Sequence, residues 1–322
     1  MLRTPLCELV NIDAPIIQAG MSVFTSPRLV AAASNAGALG SLGAWQRSPE
    51  QLRAALDEVG ALTDRPFAVN HVVPDLDPMA FDLTLEASPA VVSFALDDPG
   101  DLAKRVHDAG SLVMQQVTTV TQAALAVEHG ADIIVAQGTE AGGYGGSVST
   151  LALVPQVVDA VHPVPVVAAG GIADGRGLAA AVVLGAAGVN LGTRFLASDE
   201  SPVGDVWKKA IVAAPSEAWI QVDFFNDVRP NPGTLGYGTR VRALRTEFID
   251  RWQDRRDDAR ADPRAVLGEI AAAAAEGRIE ELLVVGGQSA GLIGELMSVA
   301  EIVRALVSEA EIALAGAPNH IT

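Results

Sequence analysis

The chain has 322 residues, 49% hydrophobic and 19% charged, and its 39 acidic against 22 basic side chains give a formal net charge of −17. An apolar half excludes intrinsic disorder, and the acidic balance excludes general binding to a nucleic-acid backbone. The single cysteine, Cys7, removes any disulfide framework and any cysteine-built metal cluster, and it fits a reducing, cytoplasmic setting.

Along the chain, short Val/Ile-rich runs alternate with glycine- or asparagine-bearing turns and Ala/Leu-rich helical stretches. Strands are expected at Pro15–Ala19, Ala38–Leu42, Phe67–Asn70, Ala90–Phe94, Leu112–Val117, Asp132–Ala136, Val164–Ala168 and Gly188–Leu191. Their nearly unbroken apolar character is that of parallel strands buried on both faces. Helices are expected at Pro27–Asn35, Pro49–Val59, Pro99–Ala109, Val120–His129, Leu151–Ala160 and Gly175–Leu184. Ser26-Pro27, Ser48-Pro49 and Asp98-Pro99 supply start signals, a capping residue before proline in the first turn. The longest uncharged stretches, 29–46, 141–158 and 177–193, are interrupted by glycine and polar residues. They read as core elements and not as membrane spans, and the first residues carry no secretory signal.

Eight such strands with alternating helices fit a (β/α)8 TIM barrel, with an open doubly wound sheet as the runner-up. The barrel takes residues 1–200 and 282–322; residues 201–281 read as a helical insertion forming a lid over its mouth. That insertion holds an aromatic cluster (Trp207, Trp219, Phe224, Phe225), the loop NPGTLGYG and a charged helix LRTEFIDRWQDRRDDAR that reads as a solvated face. A last helix is expected at Leu292–Leu306.

Barrel chemistry sits on the loops that follow the strands. The seventh strand runs into Gly170-Gly171 and the eighth into Gly192-Thr193, each ahead of a helix. Paired glycine loops at those two strands form a phosphate site, because bare N–H groups and a helix N-terminus attract an anion. The other strand ends carry Gly20-Met21-Ser22, Asn70-His71, Gln115-Gln116 and a loop with Gly143 and Tyr144. Neutral amides and exposed backbone suit a planar heterocycle, and no His/Asp/Glu set has metal-ligand spacing. A flavin mononucleotide (FMN) satisfies both halves.

The blocks PIIQAGMS, SNAGALGSLGA, FAVN, VAQGTEAGG, TLALVPQVVDAV, PVVAAGGIADGRG and GVNLGTRFLAS, with GGQSAGLI later on, resemble the nitronate monooxygenase family, formerly 2-nitropropane dioxygenases. That family also holds the FMN-dependent enoyl-ACP reductases of the second type. The resemblance implies an FMN-binding barrel. By motif position it implies flavin contacts from Gly20, Met21, Ser22, Asn70, Gln116, Gly143, Gly170, Gly171, Gly192, Thr193, Gln288 and Ser289.

One position departs from the family, where a histidine follows EAGG and acts as catalytic base. Here it is Tyr144. A phenol with an ordinary pKa near 10 is a poor base at neutral pH and a usable proton donor. Removing a proton from a neutral nitroalkane is then disfavoured, while nitronate oxidation and alkene reduction both remain open. His71, directly after Asn70, is the other candidate for a catalytic role, against a plain reading as a loop histidine bonded to backbone. The expected activity is FMN-dependent oxidation of alkyl nitronates with O2 to a carbonyl compound and nitrite. The alternatives are an NAD(P)H- and FMN-dependent enoyl-thioester reductase, and a flavin-binding protein with little turnover. The partner is a small-molecule substrate, with a homodimer as the expected assembly.

Overall fold

The computed structural model of the chain describes residues 2–228 and 240–317. Its strands are β1 (Ile16–Gln18), β2 (Leu39–Gly43), β3 (Phe67–Val72), β4 (Val91–Ala95), β5 (Leu112–Val117), β6 (Ile133–Gln137), β7 (Gly143–Gly145), β8 (Val166–Ala169), β9 (Gly188–Leu191), β10 (Trp219–Val222) and β11 (Arg240–Leu244). A closed barrel runs β1-β2-β3-β4-β5-β6-β8-β9, with β9 pairing back to β1. Every neighbouring pair is parallel. This is the (β/α)8 barrel, and the eight expected strands fall on the eight barrel strands within two residues at each end.

Alternation along each strand sorts side chains to two sides. Ile17, Leu39, Ala68, Val91, Met114, Ile133 and Val167 fill the lower interior, and Leu6, Cys7, Val10 and Ile12 close it from the strands' N-terminal side. The opposite parity, including Ile16, Val92, Phe94, Val113, Ile134, Ala168 and Val189, meets the surrounding helices. Burying each such aliphatic side chain contributes roughly 1.5–3 kcal/mol, so both faces of the sheet are bound in.

Local signals decide the helix ends. Ser26 accepts from Leu29 N–H, and Ser48 forms a reciprocal capping box with Gln51. The third start signal does not hold. The helix begins at Leu102, because Asp98 turns back onto the Gly100 N–H and Gly100 sits at φ +53°. The final helix runs Val299–Gly316 instead of Leu292–Leu306. Its start is a capping box of Ser298 and Glu301, while Gln288–Leu292 forms a 3-10 turn. Helices at Pro5–Val10 and Pro78–Glu86 were absent from the sequence reading.

Beyond β9, β10 and β11 form an antiparallel sheet whose third member is β7, from the loop that follows β6. The aromatic residues of this region do not form one cluster. Trp207 and Trp219 pack with Leu196, Ala290 and Ile293, whereas Phe224 and Phe225 pack with Phe248, Ile249 and Trp252. The charged stretch is two helices, Glu247–Gln253 and Arg256–Ala261, and its apolar face is buried rather than wholly solvated. The loop NPGTLGYG lies outside the described residues, as does His320. Among the described residues, no helix is long and apolar enough to cross a membrane.

Candidate functional site at the barrel mouth

Above the apolar lower interior, the inward positions turn polar: Ser41, Asn70, Ser93, Gln116, Gln137 and Asn190 continue the same alternation. Asn70 Nδ2 donates to Ser93 Oγ at 3.0 Å, and Gln137 Nε2 donates to the Tyr144 carbonyl at 2.7 Å. Of these, the sequence reading singled out Asn70 and Gln116. Strict parity within each strand, carried past the last aliphatic residue, is the signal that finds the others. Gln115, on the opposite parity, donates to the Asp97 carbonyl.

The glycine loops converge at this level. A Cβ on Gly20 would overlap Asn70 Cβ at 2.4 Å, and one on Gly192 would meet Met21 Sδ at 3.2 Å. Gly170 and Gly171 hold φ of +99° and +73°, a conformation that a side chain strains against. Gly170, Gly171, Gly192 and Thr193 give no main-chain N–H to another described residue. These four N–H groups follow the neighbouring strands β8 and β9, where Ala169 pairs with Asn190, and unpaired amides of that kind are suited to cradle an anion. Space beside Gly143 (φ +69°) is open, with nothing within 4 Å of a Cβ built there.

The helix dipole contributes less than the sequence implied. The helix Gly175–Val183 is capped by Asp174, which accepts from Gly177 N–H, and Glu309 accepts from Gly175 N–H. Its positive end therefore faces the chain's own carboxylates, and the loop amides are left to hold an anion. Glu140 likewise caps the helix Thr150–Val161, accepting from Thr150 N–H and Oγ1, both at 2.9 Å.

Gln288 and Ser289 reach the site from far along the chain. Gly287 N–H donates to Thr193 Oγ1, Gln288 N–H donates to the Glu140 carbonyl, and Ser289 is buried. Ser22, at φ +51°, donates its hydroxyl to the Trp45 carbonyl and Gln46 Oε1.

Tyr144 is the middle residue of β7, opposite Val241. Its half-buried ring packs on the apolar cluster built by Val222, Phe224 and Phe248. On the other sheet face, Arg242 donates to the Thr139 and Trp219 carbonyls, and Gln221 donates to Thr139 Oγ1 and the Gly146 carbonyl. These bonds tie β10 and β11 to the loop after β6. Arg47, Arg194 and Arg242 at the mouth all bond to main-chain carbonyls, and burial lowers the pKa of each from its ordinary value. None is in an ion pair with a described carboxylate.

His71 is not part of this site. It has the parity opposite to Asn70 and lies between β3 and the helix Pro78–Glu86, 2% exposed, against Phe81 and Phe94. Thr84 gives its hydroxyl proton to the Ala80 carbonyl, so the His71 Nε2–H donates to Thr84 Oγ1 at 2.9 Å. Burial pushes the imidazole pKa down to about 4. His107 and His129 pair with Asp132 and Asp98, and His162 follows a helix end. No described histidine is among the residues that form the mouth.

The closed parallel barrel, its polar upper interior and the glycine-bearing loops at the strands' C-terminal ends define an α/β-barrel protein. The nitronate monooxygenase family model matches residues 3–82 and 77–309, and the chain belongs to that family; it is an oxidoreductase. Among its relatives is the (3aS,4S,5R,7aS)-5-hydroxy-7a-methyl-1-oxo-octahydro-1H-indene-4-carboxyl-CoA dehydrogenase of Mycobacterium tuberculosis, 39% identical over 78% of this chain and 68% of the relative. The Rhodococcus jostii protein of the same name is 44% identical over 66% of this chain, a match that spans 60% of the relative. A probable nitronate monooxygenase of Staphylococcus saprophyticus is 34% identical over 80% of this chain and 82% of its own length. The solved structure of FabK from Thermotoga maritima superposes with a TM-score of 0.90 at 34% identity, covering 100% of both chains.

Proposed function

We propose that this chain binds FMN at the barrel mouth and moves hydride equivalents between the flavin and an acyl thioester of the CoA type. The observation that carries this reading is the set of main-chain N–H groups left unpaired among the described residues at Gly170, Gly171, Gly192 and Thr193, together with the absence of any described histidine from the residues that form the mouth. The more identical relatives, named as CoA dehydrogenases, support the substrate class.

FMN supplies two-electron hydride chemistry when bound. The N–H groups of Gly170, Gly171, Gly192 and Thr193 take its phosphate. Gly20, Met21, Ser22, Asn70, Gln116, Gly143, Gln288 and Ser289 border its ring system, with Ser22 acting through backbone because its hydroxyl is engaged. Tyr144 is assigned as the proton donor to the carbon next to the thioester carbonyl on reduction. The described residues of 201–281 act as a lid that excludes water, tied down through Arg242 and Gln221. In the reductive direction the electrons would come from NADH or NADPH as a second substrate.

Nitronate oxidation is the second reading, favoured by the same lack of a base: a nitronate arrives deprotonated and needs none. Anaerobic mixing separates the two. Bleaching of the yellow protein by NADH or NADPH, with reoxidation by an enoyl-CoA, is expected. Bleaching by a nitronate alone, with no response to nicotinamide or thioester, overturns the thioester reading. Tyr144→Phe should lower turnover about 100-fold at unchanged flavin affinity; unchanged turnover removes Tyr144 from its role.

A further inference from the structure

Two polar atoms inside the barrel have nothing to bond. Asn190 Oδ1 on β9 and Ser41 Oγ on β2 are closed to solvent and have no hydrogen-bond partner among the described residues. Asn190 stands in register with Ala169 and Ile17, and Ser41 with Ala68, all on the inward parity. Ser93, also inward, is satisfied by Asn70.

An orphaned buried acceptor weakens the folding equilibrium by roughly one to two powers of ten, whereas an apolar side chain of similar shape carries no such cost. Asn190 is half-buried in the polar layer above the aliphatic interior, yet its Oδ1 is closed to solvent, so exposure does not account for that oxygen. Its place explains it. Asn190 lies two residues before Gly192 on the same strand, about 7 Å beneath the cradle amides at the usual strand rise. A phosphate ester held by those amides would have its organic chain within reach of this layer. The unpaired atom is a carbonyl-type oxygen, so its partner must be an O–H or N–H donor.

We infer that Asn190 Oδ1 accepts a hydrogen bond from a hydroxyl of the cofactor's ribityl chain, with Ser41 Oγ extending the same polar floor. This rests on the FMN reading. It assigns to Asn190 a binding role that neither the family motifs nor the glycine loops single out.

The test compares wild type, Asn190→Leu and Ser41→Ala for thermal unfolding of the flavin-free protein and for binding of FMN, riboflavin and lumiflavin, which has no polyol chain. For Asn190→Leu, the expected result is a flavin-free melting temperature no lower than wild type, with FMN and riboflavin bound about tenfold more weakly and lumiflavin unchanged. Equal weakening of all three flavins overturns the polyol assignment in favour of a bound water under the ring. A lowered melting temperature with unchanged flavin binding also overturns it, making Asn190 structural. Where leucine does not fold, Asn190→Ala removes the acceptor without adding volume, and the same outcomes apply. A wild-type protein that binds none of the three flavins refutes the cofactor reading itself.

Discussion

Acidification should destabilise the protein through His71, and the size of the effect follows from its burial. The imidazole is 2% exposed and its pKa is pushed down to about 4, from an ordinary value of 6.5. Between those values the unfolded chain binds a proton that the native state does not, so stability falls as pH falls. The loss begins below pH 6.5, proceeds at up to about 1.4 kcal/mol per pH unit, levels off below pH 4 and reaches about 3 kcal/mol. Urea unfolding followed by tryptophan fluorescence, from pH 7 to 4, should show wild type losing that much relative to His71→Leu. Thr84 still donates to Ala80 in the variant, so no new orphan donor obscures the comparison. Parallel pH curves for the two proteins would refute the reasoning. The same variant should keep wild-type turnover, because the ring faces Phe81 and Phe94 and not the mouth.

The cradle and the β10–β11 latch give two further expectations. Gly170→Ala places a Cβ about 3.0 Å from Ala141 N and Gly138 O at a φ of +99°. It should cost about 1–3 kcal/mol of stability and weaken FMN binding at least about tenfold, read by chemical denaturation and flavin fluorescence; wild-type affinity would show that the loop amides do not hold the phosphate. Arg242→Met removes the donors to Thr139 and Trp219 carbonyls. It should speed hydrogen exchange in β7 and proteolysis within residues 201–281 while sparing the barrel. Exchange at wild-type rates would show that Arg242 does not hold the sheet to the β6 loop.

The placement of the glycine loops was legible because barrel strands present their residues in a fixed order. Gly170-Gly171 and Gly192-Thr193 each follow an apolar strand, so their being neighbours needed only the pairing of β8 with β9. His71 shows the limit. One residue of parity separates it from Asn70, and that single step turns a side chain from the mouth to the outer layer. Asp174 and Glu309 show another: a helix N-terminus is visible in sequence, but a carboxylate brought to it from residue 309 is not.

The sequence by itself determined an alternating β/α chain with a parallel sheet, through doubly buried strands and glycine stops, and it determined the family through its ordered motifs; the closed barrel, expected ahead of an open sheet, was settled by the pairing of β9 with β1. Only the tertiary structure decided which groups share the mouth. It laid Tyr144 into a sheet with β11, brought Gly287 and Gln288 onto Thr193 and Glu140, and left Asn190 and Ser41 without partners. The physical reason is the range of the interactions. Strand and helix preferences act between near neighbours along the chain, whereas hydrogen-bond satisfaction and burial depend on residues far apart in it, 94 positions for Gly287 and Thr193.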